Sequence, residues 1–169
     1  MTNKGFADTE TNIETPNDVG KAEKPLKNGT KSGRVDINVL KSKLQQIESK
    51  EFKRILETKF SINLDKAKVV TTLRGFSRKK DGKIHTDSKT KILTVLLYLN
   101  LNWPENRGNL RLLKGNNNLD EYIKEIPCTF GSLVCFKVTD ECWHGFKPYE
   151  GKRLSIQLNY IYPEALSSH

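Results

Sequence analysis

The chain contains three histidines, and because His169 is its last residue, the two internal ones, His85 and His144, are where metal or acid-base chemistry would start. His85 opens the triplet His85-Thr86-Asp87. In an extended segment residues i and i+2 point to one face, so this imidazole and this carboxylate can converge on a single metal ion. A turn with a capped Asp has the same appearance. His144 lies 59 residues further on, inside CWHGF. It can add a third ligand from another strand, or it can be a core histidine with one satisfied nitrogen.

Two imidazoles and one carboxylate on one face of an octahedron leave three positions open, an arrangement that suits non-haem Fe(II) oxygenases; a zinc hydrolase can use the same ligands. Arg153 shifts the balance between these readings. It opens the last expected strand, nine residues after His144, and a turn through Pro148 and Gly151 is expected to return it beside the metal on the neighbouring strand. Its rigid fork of donors suits a carboxylate. Ser155, two residues on, shares its strand face and can add a hydroxyl to the same anion. Tyr98 ends an apolar run and places a phenol where a buried OH must find a partner. Each has a plainer reading, Arg153 as a surface ion pair with Glu150 and Tyr98 as a core aromatic. Together with the histidines they describe a dicarboxylate site, one end chelated by metal and the other clamped by Arg153, Ser155 and Tyr98.

The elements that must position these residues follow from periodicity. Between Val35 and Phe60, Ile37, Leu40, Leu44, Ile47, Phe52, Ile55, Leu56 and Phe60 recur at the spacing of amphipathic helices, which predicts two short helices with Ser49 capping the second. Val69 to Leu73 is a β-branched run that predicts a strand. A turn is expected at Asp81-Gly82. Ile92 to Leu99 is nearly all apolar and reads as a strand covered on both faces. Further strands are expected around 109–113, 122–126, 132–138, 142–146 and 153–162. Helices followed by seven or so short strands predict a mainly β fold, an antiparallel sandwich or barrel with helices packed outside it.

Composition sets the limits. With 169 residues the chain fits one domain of ordinary size. Residues 1–34 are rich in Asn, Thr, Gly and Lys and poor in apolar side chains, so this segment is expected to be poorly ordered, with the domain proper spanning 35–169. The net charge is +9, from 29 basic and 20 acidic residues, which permits an anionic partner without requiring one. Mean hydropathy is −0.62. The opening residues lack the apolar stretch of a secretory signal and no later apolar run reaches membrane-spanning length, so a cytoplasmic protein without a membrane partner is expected. Cys128, Cys135 and Cys142 are an odd number at even spacing. They lack the close ligand pairs of a zinc site and read as buried small hydrophobes. Arg74, Arg78, Lys79, Lys80 and Lys83 precede His85. They form either a basic loop at a site mouth that favours an anionic substrate or a solvated hairpin tip. Phe76, Trp103 and Trp143 could stack bases, but no nucleic-acid motif accompanies them.

From Arg74 to Tyr162 the chain resembles the Fe(II)- and 2-oxoglutarate-dependent oxygenases, in particular the prolyl-4-hydroxylase-like branch and its small bacterial members. The resemblance rests on four stretches. These are the HxD triplet His85-Thr86-Asp87, the run from Thr94 to Asn100, the run from Gly108 to Leu112, and His144-Gly-Phe-Lys-Pro148 followed by Gly151-Lys-Arg153. It implies a double-stranded β-helix (jelly-roll) fold. It also implies Fe(II) held by His85, Asp87 and His144, and the far carboxylate of 2-oxoglutarate held by Arg153 with Tyr98. Ser155 matches an Arg-x-Ser pattern of other branches. Many members of the branch have an aromatic residue upstream of the triplet that helps hold 2-oxoglutarate, and Phe76, which lacks a hydroxyl, is the nearest counterpart. The implied activity is a dioxygenase that hydroxylates an unidentified substrate while O2 is cleaved and 2-oxoglutarate becomes succinate, with ascorbate a candidate reductant. A nucleic-acid demethylase and a non-catalytic ligand-binding jelly roll are the alternatives.

Overall fold

The computed structural model describes residues 35–104 and 106–166. The expected poorly ordered segment 1–34 lies outside them. Two helices open the described chain, α1 (Ile37–Ile47) and α2 (Lys50–Phe60). Each begins at a side-chain cap: Asp36 accepts from the Asn38 amide at 2.6 Å, and Ser49 from the Phe52 amide at 3.1 Å. Leu40, Leu44, Ile47, Phe52, Leu56 and Phe60 pack on the sheet beneath them. Ile37 and Ile55 fit the same spacing yet stay 58% and 57% exposed. Ile55 is one residue from Leu56, about 100° around the helix, and so leaves the buried stripe.

Seven strands follow: β1 (Lys68–Ser77), β2 (Lys91–Tyr98), β3 (Leu110–Leu113), β4 (Tyr122–Ile126), β5 (Leu133–Lys137), β6 (His144–Gly145) and β7 (Gly151–Ile161). They form two antiparallel sheets, a four-stranded one in the order β1-β7-β2-β5 and a three-stranded one in the order β4-β3-β6. The four-stranded sheet sorts its side chains by the two-residue period. Leu93, Val95, Leu97 and Leu99 of and after β2, with Leu154, Ile156, Leu158 and Tyr160 of β7, face the helices. Each Leu or Ile fully buried there contributes roughly 1.5–3 kcal/mol. Tyr98, Val134 and Phe136 face the other way and pack with Leu110 and Leu112 of β3, which joins the two sheets. This explains why β2 reads as an unbroken apolar run: both of its faces are covered.

The remaining positions on the inner face of β7 are Arg153, Ser155, Gln157 and Asn159, a polar row inside the sandwich. Arg153 is therefore not on the strand next to His144, as the turn through Pro148 suggested. β6 has only two residues and pairs with β3, whereas β7 crosses into the other sheet between β1 and β2. Arg153 lines the same cavity as the histidines, from the opposite sheet. The three cysteines are free and buried, as expected of small hydrophobes.

Candidate active site

His85 and His144 are brought together by the backbone itself. They form an isolated antiparallel bridge in which each amide donates to the other's carbonyl at 3.0 Å. Their rings lie 4.3 Å apart between centroids. His85 Nδ1 stands 2.8 Å from the Lys83 carbonyl, and His144 Nδ1 stands 2.8 Å from the Cys142 carbonyl. A carbonyl only accepts, so each Nδ1 carries a proton and Nε2 is the nitrogen left to meet a metal. This tautomer is the one a metal-ligating histidine needs. Burial, with a smaller contribution from His85 beside it, pushes the His144 pKa down and favours the neutral imidazole.

Asp87 completes the group: one ligand atom from each of His85, Asp87 and His144 lies within 4.8 Å of the others. Burial opposes ionisation of Asp87, but the Thr94 hydroxyl, donating to Oδ2 at 2.5 Å, and the Lys91 ammonium, 3.1 Å from Oδ1, outweigh it and hold the carboxyl below its usual range. In the sequence Thr94 only opens the run to Asn100 and carries no assigned role, although it is the one aliphatic hydroxyl inside the apolar run of β2. The donor set, two imidazole nitrogens and a carboxylate, fits a first-row divalent ion such as Fe(II).

All six residues expected at the site, His85, Asp87, His144, Tyr98, Arg153 and Ser155, line one cavity of about 450 Å³. The Arg153 guanidinium is anchored by Nε to the Gly108 carbonyl at 3.2 Å, and by one terminal nitrogen to the Tyr98 hydroxyl and the Cys128 sulfur, both at 3.3 Å. It lies 4.0 Å over the centre of the Phe146 ring. Among the described residues no carboxylate pairs with it; Glu150 pairs with Lys79 at 3.8 Å instead. A half-buried cation without an anionic partner suits an anionic ligand. Tyr98 is fully buried, and burial pushes its pKa up, so its hydroxyl keeps its proton. Burial likewise pushes Cys128 up, and it stays a thiol. Ser155 is buried opposite Tyr98 on one side and Arg74 on the other.

Phe76 lines the mouth of the same cavity. The register shift between Arg74 and Phe76 sets Phe76 opposite Lys152 and Ser77 opposite Gly151, on the Arg153 face of β7. Phe76 stays 59% exposed at the rim, whereas Ser77 is buried and its hydroxyl has no hydrogen-bond partner among the described residues. Trp103 cannot stack on a base: it is buried between the sheets, with Nε1 donating to Asn109 at 2.7 Å. Among the described residues no helix is long and apolar enough to cross a membrane.

Comparison with known proteins gives the family and the fold. A model of the 2OG-Fe(II) oxygenase superfamily matches residues 71–161, more than half of the chain. Among solved structures, the fold is similar to a prolyl-4-hydroxylase from Pseudomonas putida, with a TM-score of 0.54, 20% identity, and coverage of 70% of this chain and 65% of that one. It is also similar to an oxidoreductase of the 2OG-Fe(II) oxygenase family from Burkholderia pseudomallei, with a TM-score of 0.51, 10% identity, and coverage of 72% and 55%. The chain thus spans a little under two thirds of the length of the first and about half of the second. A search of curated sequences gives no match. The shared fold is the double-stranded β-helix that the family resemblance implied, and it meets the narrower expectation of an antiparallel β fold with helices packed outside it. With the family model covering β1 through β7, the chain belongs to the 2OG-Fe(II) oxygenase superfamily.

Proposed function

We propose that the protein is a 2-oxoglutarate-dependent dioxygenase that hydroxylates an unactivated C–H bond. In the overall reaction 2-oxoglutarate, O2 and R–H become succinate, CO2 and R–OH, one oxygen atom entering succinate and the other the substrate. The observation that carries the proposal is that the His85, Asp87 and His144 ligand atoms line one cavity with the Arg153 fork, which has no carboxylate partner among the described residues. His85, Asp87 and His144 would hold Fe(II). When bound, the metal supplies the open positions and the electrons that bring 2-oxoglutarate and O2 to reaction. Arg153, with the Tyr98 and Ser155 hydroxyls, would bind the far carboxylate of 2-oxoglutarate and so fix its orientation. Thr94 and Lys91 keep Asp87 ionised and aimed. Leu96, Leu110 and Phe146, with Phe76 at the mouth, form the apolar part of the wall and limit the access of water to the reacting groups.

The test is succinate formation with Fe(II), 2-oxoglutarate, O2 and ascorbate, scored with and without candidate substrates. The wild-type protein should form succinate, and His144→Ala should reduce it to the rate of the protein-free control. Equal succinate from both proteins would remove His144 from the site, and a wild-type protein that binds 2-oxoglutarate without ever forming succinate would be a binding domain.

A further inference from the structure

The cavity does not end at the metal group and the Arg153 clamp. Its wall continues along the inner face of β1, where Arg74 lies opposite Ser155. Three cations line the cavity: Arg153, Lys91 and Arg74. Arg153 serves the co-substrate end on the reading above, and Lys91 is committed to Asp87 at 3.1 Å. Arg74 is different. Its Nε donates to Gln157 Oε1 at 3.2 Å, a neutral partner, and among the described residues no carboxylate pairs with its guanidinium. The two acids on the lining do not answer it: Asp87 belongs to the metal group, and Asp81 accepts from the Arg78 amide at 2.8 Å within its own turn.

Gln157 does more than touch Arg74. Its amide donates to Asn159 Oδ1 at 3.3 Å; the Thr94 hydroxyl lies 3.2 Å from the same oxygen and 2.5 Å from Asp87. A row of polar side chains thus runs from the metal carboxylate across β2 and β7 to Arg74, inside a sheet whose other face is apolar. Such a row fixes side chains whose positions would otherwise be free. A second observation lies on the same strand: the Ser77 hydroxyl is buried, unpartnered among the described residues, and on the cavity lining. An oriented guanidinium without an anion and an orphaned hydroxyl on one wall are both completed by one kind of ligand, a group of acceptor oxygens bearing negative charge. The loop from Arg78 to Lys83 adds to the positive field at this edge, since of Arg78, Lys79, Lys80 and Lys83 only Lys79 has an acidic partner among the described residues.

We propose that the β1 wall is the substrate subsite and that Arg74, oriented by Gln157, binds an anionic oxygen group of the substrate, a carboxylate or a phosphate, while Ser77 donates to a further oxygen. The substrate then carries an anionic oxygen group. This rests on the dioxygenase reading, because it is occupation of Arg153 by 2-oxoglutarate that leaves Arg74 for the substrate.

Nuclear magnetic relaxation separates the two claims. Protein is loaded with Mn(II) and 2-oxoglutarate, with Zn(II) as the diamagnetic blank, and titrated with inorganic phosphate in one arm and 13C-labelled acetate in the other. Broadening of the 31P or 13C line reports binding close to the metal, and the arm that responds identifies the group. The expected result is broadening by the wild-type protein in at least one arm, reduced tenfold or more in Arg74→Gln, partly kept in Arg74→Lys and unchanged in Lys66→Gln. Lys66→Gln removes the same charge at an exposed turn ahead of β1. The 2-oxoglutarate titration should be the same in all four proteins. Absence of broadening in the wild type, its survival in Arg74→Gln, or an equal loss in Lys66→Gln would overturn the subsite. A wild-type protein that fails to take up 2-oxoglutarate would instead overturn the dioxygenase reading, and the subsite with it.

Discussion

Replacing Arg153 by lysine keeps the charge and removes the fork. In the structure Nε is held by the Gly108 carbonyl, and one terminal nitrogen by Tyr98 and Cys128. The other terminal nitrogen carries no hydrogen bond among the described residues, so the plane of the guanidinium is fixed while one edge stays available to an anion. An ammonium on a flexible stem can approach the same anion but cannot present two parallel donors. Loss of one charge-assisted hydrogen bond costs about 1.5–3 kcal/mol, which is about a 10- to 150-fold rise in Kd. Calorimetric titration of 2-oxoglutarate into Mn(II)-loaded protein measures this directly. A parallel Mn(II) titration of both proteins should give equal affinities, since Arg153 does not touch the metal group. A 2-oxoglutarate Kd for Arg153→Lys within about twofold of wild type would refute the assignment of Arg153 to the co-substrate.

Two further substitutions probe how the clamp is built. Tyr98→Phe removes one neutral donor that burial keeps protonated, and in the same titration it should weaken 2-oxoglutarate by about 0.5–1.5 kcal/mol; an unchanged Kd would leave Tyr98 as a core aromatic only. Gly82→Ala should lower stability by about 1–2 kcal/mol from backbone strain alone. Gly82 has φ +83°, and an added Cβ would come within 2.6 Å of the Phe146 ring, which must then shift from beneath Arg153. Urea unfolding and the 2-oxoglutarate titration together check it, and a variant as stable as wild type would show that the turn relaxes freely.

Most of the fold was legible because its signals are local. The helical stripe from Leu40 to Phe60, the Ser49 cap and the unbroken apolar run of β2 each depend on neighbours a few residues apart, and each appears where its pattern put it. The six candidate site residues drew notice as a group: the chain has only two internal histidines, but Arg153 is one of seven arginines, and it, Tyr98 and Ser155 gain meaning only beside them; the structure lines one cavity with all six. What was not legible depends on pairing between distant strands. Nothing near Pro148 shows that β6 joins β3 while β7 enters the other sheet, so Arg153 was expected beside His144 and lies across the sandwich from it. The register shift at Arg74 and Phe76 is likewise a property of β1 against β7, and only that pairing shows that Ser77 lines the cavity buried while Phe76 lines it exposed at the rim. Thr94 carried a weak signal, a hydroxyl among Ile, Leu and Val, whose meaning appears only once Asp87 stands beside it.

The central claim is that His85, Asp87 and His144 hold one divalent ion beside the 2-oxoglutarate clamp. Electron paramagnetic resonance of Mn(II) tests it most directly, because free and bound ion are counted in one spectrum. Wild-type protein should bind one Mn(II), and 2-oxoglutarate should change the bound spectrum; His85→Ala, Asp87→Ala and His144→Ala should each lose most of that binding, since two remaining ligands no longer close the facial set. Stoichiometric Mn(II) binding that survives all three substitutions, or a bound spectrum indifferent to 2-oxoglutarate, would contradict it.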